Sequence, residues 1–316
     1  MLDNLIYSIN AILPIILLVV LGVFLKRFGR VTDAFCVVAD WLVFKIALPV
    51  MLFLEVASSS LAGSANGKLI AYIVAAVTGA FILVSLLTTL FMKDKEKRGA
   101  FIQGCCRSNF AILGVPLANN MFGDIGGQTV ALIMPFVILM FNTYSVVILS
   151  IFSNKREHKL NIKAVLCNII TNPLIISVLI GLPFMIWKIP LPTAANKTLN
   201  YLSGLCTPLA LISLGANFKP ENLKGRIGYA CMGSAIKTVL LPTAAVTLAA
   251  LIGLRGPSLG AVLICFGAPA AVSSYIMAKK MDNDHELAAQ LLLLSTLVCI
   301  FTIFIGIFIL KTLSLI

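Results

Sequence analysis

Long apolar runs alternate with short polar segments along the whole chain. Each run approaches the roughly 20 residues that a helix needs to cross a lipid bilayer. Helices satisfy their own backbone polar groups in lipid, whereas the strands of a membrane barrel would alternate in polarity over about ten residues. We therefore predict an all-α polytopic membrane protein with ten transmembrane helices, at residues 5–25, 33–57, 69–92, 99–121, 127–152, 163–187, 192–216, 227–253, 257–279 and 287–310.

The composition agrees with this pattern, since 60% of the 316 residues are hydrophobic and only 11% are charged. A soluble domain is about 45–50% apolar and about 25% charged. These values exclude an ordinary soluble enzyme, a disordered chain and a coiled coil. The eight cysteines lie within or beside the apolar runs and lack the paired spacing of a zinc site, so we predict no metal and no other cofactor.

Basic residues are concentrated in alternate loops. The loops after the odd-numbered runs hold 16 Lys and Arg residues, whereas the opposite loops and the C-terminal segment hold 5. Because basic loops face the cytosol, we predict a cell-membrane protein with both termini outside. The first run precedes the basic cluster at residues 26–30, which is typical of a retained span rather than a cleaved signal peptide. The loops account for the net charge of +12, so we expect no nucleic acid partner.

Two landmarks suggest that the chain consists of two related halves. The second span of each half carries a proline, Pro49 and Pro208, and the fourth carries a Gly-x-Pro sequence, at residues 114–116 and 267–269. Five spans per half would insert the second half upside down relative to the first. We therefore predict a first repeat at residues 1–152, a short cytosolic connector at 153–162 and an inverted second repeat at 163–316.

Each Gly-x-Pro sequence is expected to interrupt its helix near the middle of the membrane. Proline lacks an N–H and disfavours helical geometry in the preceding residue, here Val115 and Ala268. Such backbone persists at membrane depth only where it is buried in protein or lines a polar cavity. We predict that half-helices starting near Leu117 and Ala270 aim their N-termini at a ligand. Simple proline kinks are the alternative.

Polar side chains inside the spans are the remaining candidates for ligand contacts. The amide of Asn109 suits a carboxylate or hydroxyl, and Asn142 and Ser273 are further candidates. Each could instead make a hydrogen bond between helices. Arg107 is expected towards the cytosolic side, about nine residues from the break, where it would recruit an anion or extend to the membrane surface.

Two lysines, Lys45 and Lys237, are predicted deep within their spans. A charge at the centre of the bilayer costs about 2.5–3.5 kcal/mol on insertion scales, so each should face a polar interior. They would attract an anion or pair with Asp40 or Glu55. Because cations outnumber acids inside the spans, we expect an anionic substrate.

The segment from Arg107 to Leu117 resembles the fourth-span motif of the auxin efflux carrier family, which includes plant auxin transporters and bacterial malate or malonate permeases. The resemblance extends over nearly the whole chain, through residues 47–53, 253–256 and 267–280. It implies an inverted five-plus-five repeat with crossing helices four and nine, similar to bile-acid transporters and sodium/proton antiporters. It also implies a scaffold of helices 1, 2, 6 and 7, at residues 5–57 and 163–216, and a moving transport domain of helices 3–5 and 8–10, at residues 69–152 and 227–310.

The resemblance implies a substrate site at the crossing of helices four and nine. With the polar candidates above, the expected site comprises Asn109, Gly114, Val115, Pro116, Asn142, Gly267, Ala268, Pro269 and Ser273, with Arg107, Lys45 and Lys237 attracting the anion. The long cytosolic loop of the large plant members is absent, which favours a small organic anion over auxin. A dimer formed through the scaffold helices would fit this fold. A channel and a non-transporting sensor remain alternatives, whereas the absence of HExxH and P-loop motifs argues against an enzyme.

Overall fold

The computed structural model describes residues 2–58, 67–153, 171–217 and 226–316, and within these ranges it is helical apart from loops and one isolated bridge. The helices are α1 (Leu2–Arg27), α2 (Asp33–Ala57), α3 (Gly67–Phe91), α4 (Arg98–Cys106), α5 (Phe110–Phe122), α6 (Asp124–Ile151), α7 (Pro173–Trp187), α8 (Thr193–Asn217), α9 (Ile227–Leu251), α10 (Gly256–Gly267), α11 (Ser273–Lys280) and α12 (His285–Thr312).

Among the described helices, six are long and apolar enough to cross a membrane, namely α2, α3, α6, α8, α9 and α12, and α7 and α10 are shorter apolar helices. The chain is therefore a polytopic membrane protein. The helix ends lie close to the predicted ones, as for span 33–57, which is α2, and span 287–310, which lies within α12. The start of the sixth span and, apart from Ser153, the predicted connector lie outside the described residues.

Prolines distort several of these helices without ending them. In α2, a π-helical turn at Val43–Ala47 precedes Pro49, and in α9 a similar turn at Ile236–Leu240 precedes Pro242. In α8, the regular helix is interrupted at Leu205, three residues before Pro208. The missing N–H of each proline leaves one carbonyl without its helical partner, and in α2 and α9 the wider π-helical turn accommodates this defect.

Close packing joins α1, α2, α7 and α8. A Cβ atom at Gly215 would collide with the carbonyl oxygen of Val19, so glycine is required where α8 crosses α1. Between α2 and α7, the rings of Phe53 and Phe184 meet edge to face, with centroids 5.2 Å apart.

The buried apolar side chains form two large clusters. The first draws its helical members only from α3, α4, α5, α6, α9, α10 and α12. The second joins α1, α2, α7 and α8 to the faces of α4, α6, α11 and α12 that lie against them. The α1, α2, α7 and α8 group is thus packed against a second group of helices that has an apolar core of its own.

Candidate functional site

The first break in helical geometry lies at Arg107–Asn109, between the end of α4 and the start of α5. Arg107 is extended, with ψ 128°, and Asn109 caps α5 with φ −80° and ψ 45°. The predicted break at residues 114–116 is wrong, because these residues lie within α5. A helix tolerates the one hydrogen bond that Pro116 removes, whereas the backbone groups freed at Arg107–Asn109 have partners from another segment.

The second break lies where the sequence predicts it. Helix α10 ends at Gly267, Ala268 is extended with φ −61° and ψ 148°, and α11 begins at Ser273. The extended geometry of Ala268 is that expected of a residue before proline, here Pro269.

The two breaks contact each other through their backbones. Ser108 and Ala270 form an antiparallel bridge, and the N–H of Asn109 donates to the carbonyl of Pro269 at 2.8 Å. The hydroxyl of Ser108 donates to the carbonyl of Ala268 at 3.0 Å. Each break therefore satisfies polar groups that the other exposes, which allows unwound backbone to lie inside an apolar protein.

A small cavity lies beside the paired breaks. Its volume of about 50 Å³ has room for about four water molecules. It brings together four of the predicted residues, Arg107, Asn109, Asn142 and Ser273, although they come from different segments of the chain. The opposite wall comes from α2 and α8 and consists of Met51, Leu52, Glu55, Cys206 and Thr207.

Arg107 is buried at the centre of this site, with 4% of its surface exposed. Its Nη2 donates to Asn142 Oδ1 and to Ser273 Oγ, both at 2.8 Å, and its Nη1 contacts the sulfur of Met277 at 2.7 Å. The prediction that Arg107 lies about nine residues from the break is wrong, because Arg107 is itself the first residue of the break. Its guanidinium ties α6 and α11 to the unwound segment.

Asn109 carries a buried hydrogen-bond donor and is one of the residues that line the cavity. Its side chain is buried, and within the described part of the chain its amide nitrogen, Nδ2, has no hydrogen-bond partner. A buried donor without a partner costs about 1–3 kcal/mol, so a hydrogen-bond acceptor in the cavity would be favourable here.

Two helix N-termini also meet the cavity. Helix α5 starts at Phe110 and α11 starts at Ser273, and both residues line the cavity. The predicted starting points, Leu117 and Ala270, are seven and three residues away from these positions. The positive ends of the helix dipoles favour a negatively charged group at this position.

Glu55 makes the charge of the cavity more balanced than the sequence suggested. It lines the cavity together with Arg107, whereas sequence reasoning considered it only as a partner for a lysine. Thr207 and Cys206 were not predicted as site residues. The sequence signal that could have identified these residues is the proline in each of the two spans. Glu55 follows Pro49 in α2, and Thr207 directly precedes Pro208 in α8.

The other predicted residues lie around the breaks but outside the described cavity lining. Gly114 and Val115 belong to α5, and a Cβ atom at Gly114 would lie 3.0 Å from Val130. Pro116 is also within α5. Ala268 and Pro269 contribute backbone carbonyls to the first break, as described above. Gly267 borders a different, apolar cavity.

Neither Lys45 nor Lys237 is among the described residues that line the site cavity. Lys45 is exposed on α2, with its Nζ 5.9 Å from the ring centroid of Phe44. Lys237 is fully buried, and its Nζ donates to the carbonyl of Phe266 at 3.0 Å, in the last turn of α10. Asp40, a predicted partner for these lysines, instead forms an ion pair with Lys279 at 2.6 Å.

Comparison with known proteins points to membrane transport. The sequence profile of a family described as "Membrane transport protein" matches residues 7–307. An uncharacterized transporter of Methanocaldococcus jannaschii is 26% identical over 295 residues, covering 91% of this chain and 94% of the relative. An uncharacterized transporter of Methanothermobacter thermautotrophicus is 24% identical over 294 residues, covering 92% and 94% of the two chains.

Proposed function

Because this chain belongs to the membrane transport protein family that contains the auxin efflux carriers, we propose that it is a secondary carrier of a small carboxylate. The substrate occupies the cavity beside the paired breaks. Its carboxylate accepts a hydrogen bond from Asn109 and lies close to the N-termini of α5 and α11. Helix N-termini hold anions without a dedicated charged side chain.

The observation that carries this proposal is the buried amide donor of Asn109, which has no hydrogen-bond partner in the described part of the chain. The nearby guanidinium of Arg107 already donates to Asn142, Ser273 and Met277. It supplies positive potential, which offsets the acidic side chain of Glu55 in the same cavity. A ligand with one acceptor and one negative charge therefore suits the site better than a cation.

Transport proceeds by alternating access of two bodies. The scaffold consists of α1, α2, α7 and α8, and the transport domain contains the two breaks and the remaining helices. Three features support this division, namely the separate apolar core of the second group, the second cluster between the groups and the position of the cavity between α2, α8 and the breaks. An elevator movement of the transport domain would carry Asn109 and its ligand past the fixed wall that contains Glu55 and Thr207.

The pairing of the breaks also supports two inverted halves whose fourth spans cross. Ser108 in the first half and Ala270 in the second meet at a single antiparallel bridge. With five spans in each half, both chain termini would lie outside the cell membrane, and exposed scaffold surfaces would be available for a dimer.

Uptake into proteoliposomes tests the proposed function. A panel of mono- and dicarboxylates, measured with and without sodium and a pH gradient, should show one saturable substrate with counterflow. Flux without counterflow would indicate a channel, and binding without flux would indicate a sensor. Either result would contradict the carrier proposal.

The Asn109→Ala variant tests the site. We expect an increase in KM of about tenfold or more for the transported carboxylate, because one hydrogen bond to a charged group is lost. Asn120→Ala is the matched control, since Asn120 is exposed on the same helix. Unchanged kinetics of Asn109→Ala, or equal effects of both variants, would show that the substrate binds elsewhere.

A further inference from the structure

A second cavity, much larger than the substrate site, opens between α9, α10 and α12. Its volume is about 570 Å³, which is within the usual range for small-molecule sites. Buried apolar side chains form its floor, and exposed ones form its rim. We call it the apolar groove, with the floor residues Val246, Leu263, Ile303 and Leu310 and the rim residues Leu251, Ile305, Ile309 and Leu313.

The rim shows that the apolar groove opens sideways. Leu251 is 78% exposed, Leu313 60% and Ile305 52%. All three lie on or next to α9 and α12, two helices that are long and apolar enough to cross a membrane. In a bilayer these side chains face lipid, so the groove is accessible from the hydrocarbon region rather than from water.

Of the four threonines that line the groove, Thr243 and Thr247 are exposed, and the other two have hydrogen-bond partners in the protein. Thr238 donates to the carbonyl of Ser234 at 2.8 Å, and Thr302 donates to the carbonyl of Cys299 at 3.4 Å. Both bonds are made within the residue's own helix. The interior therefore suits a hydrocarbon chain, which has no polar groups to satisfy.

A cation stands at one end of the groove. Arg255 lines it, and its Nη1 donates to the carbonyls of Ala250 and Leu254 at 2.6 and 2.8 Å. The other two guanidinium nitrogens, Nη2 and Nε, have no hydrogen-bond partner within the described residues. Lys68 adds a second positive charge nearby, because its Nζ lies 3.7 Å from the Cβ position of Gly253 in the same loop.

We propose that the apolar groove binds one acyl chain of an anionic phospholipid, whose phosphate contacts Arg255. An amphiphile with an apolar tail and a negative end matches the groove and its cationic end. Guanidinium groups bind phosphate oxygens with two parallel hydrogen bonds, for which the free nitrogens of Arg255 are available. The lateral opening favours a lipid of the surrounding bilayer over a solute from water.

The bound acyl chain also contacts residues next to the second break, which forms part of the proposed substrate site. The groove reaches Gly267, the last residue of α10 before the second break, and Thr238, which neighbours the buried Lys237. A lipid in the groove therefore packs against the half-helix whose end forms the break. This inference does not depend on which substrate is transported, nor on transport itself.

Native mass spectrometry of the intact protein in mild detergent tests the proposal. The probes are phosphatidylglycerol and phosphatidylcholine with identical acyl chains. We expect the wild type to retain one phosphatidylglycerol in preference to phosphatidylcholine. Arg255→Gln should weaken phosphatidylglycerol binding by about tenfold and abolish the preference. Thr247→Trp should displace both lipids, because Thr247 lines the groove and an indole there would obstruct the path of the acyl chain.

Two matched controls should leave lipid binding unchanged. Lys197→Gln removes an exposed cation elsewhere, and Leu248→Trp places an indole next to position 247 but outside the described groove lining. Equal binding of the two lipids to the wild type, equal effects of Arg255→Gln and Lys197→Gln, or retention of lipid by Thr247→Trp would overturn the proposal. A dimer that Thr247→Trp dissociates would also overturn it, since a second chain would then fill the groove.

A fluorescence measurement covers the case in which Thr247→Trp fails to fold. The chain has two tryptophans, Trp41 and Trp187. Replacing both by phenylalanine and introducing Ile305→Trp gives a single reporter on the rim. Phosphatidylglycerol brominated in its acyl chains should quench this reporter more strongly than brominated phosphatidylcholine, and adding Arg255→Gln should remove the difference. Equal quenching by both lipids would contradict the proposal.

Discussion

Arg107 and Asn109 stand two residues apart in the first break, yet their side chains are bonded very differently. Both terminal nitrogens of Arg107 are engaged by protein atoms. Asn109 keeps its amide nitrogen without a partner in the described structure. Arg107 therefore positions α6 and α11 and contributes charge, whereas Asn109 is the side chain that is free to select a ligand.

Lys237 offers a prediction at the residue scale. Its ammonium donates to the carbonyl of Phe266 at the end of α10, where the helix dipole is negative. Lys237→Gln keeps a donor at this position, whereas Lys237→Met leaves a buried carbonyl without one. We expect the Gln variant to be about 1 kcal/mol more stable than the Met variant in thermal unfolding in detergent.

The KM of the transported anion separates the two roles considered for Lys237. In the Gln variant it should stay unchanged, because Lys237 is not among the described residues of the site cavity. An equal increase of KM in the Gln and Met variants would instead show that the positive charge attracts the substrate, as the sequence alone suggested.

At the scale of helices, the two breaks depend on each other. Each leaves polar backbone groups that its own helix no longer satisfies, and the other break supplies partners for them. A proline alone does not create such a site, since Pro116 is accommodated inside α5. An unwound segment persists where a partner segment completes its hydrogen bonds.

Removal of one such bond should be measurable. Ser108→Ala leaves the buried carbonyl of Ala268 without its hydroxyl donor, and we expect it to lower the free energy of unfolding by about 1–3 kcal/mol. Ser58→Ala is the control, because Ser58 makes the same kind of bond, to the carbonyl of Leu54, at an exposed position. Comparable losses in both variants, measured by thermal unfolding, would argue against a special role of the paired breaks.

At the scale of the whole molecule, an ion pair links the two groups of helices. Asp40 on α2 is buried, accepts a hydrogen bond from Ser213 on α8 and pairs with Lys279 on α11. If the transport domain slides along the scaffold, this pair must separate in each cycle. The pair would then stabilise the arrangement of the two groups of helices in this structure relative to their arrangement after the movement.

The two single variants of this pair should behave differently. Asp40→Asn removes the buried charge and leaves Lys279, which is partly exposed, to reach water. We expect faster counterflow exchange with unchanged KM, because neither residue is among the described ones lining the cavity. Lys279→Met strands the buried carboxylate and should cost roughly 3–5 kcal/mol of stability. A KM change in Asp40→Asn would place the pair in the binding site instead.

Hydropathy along the chain was sufficient to predict the membrane class and the bounds of several helices. The burial of about 20 apolar side chains in lipid is a local property of a segment, so the ends of α2 and α12 followed from the sequence within a few residues. The second break was also predictable, because Pro269 restricts its own backbone and that of Ala268. The family followed from the motifs at both breaks, and the match over residues 7–307 confirms it.

Only the tertiary structure decided where the first break lies and which polar residues meet. Nothing in the local sequence of Arg107–Asn109 unwinds a helix, and the partners that stabilise the unwound backbone lie 160 residues away along the chain. The burial of Lys237, the exposure of Lys45 and the pairing of Asp40 with Lys279 likewise depend on which helices become neighbours. Apolar periodicity specifies that a helix is buried in lipid or protein, but hydrogen bonds between distant segments form only once the helices have packed.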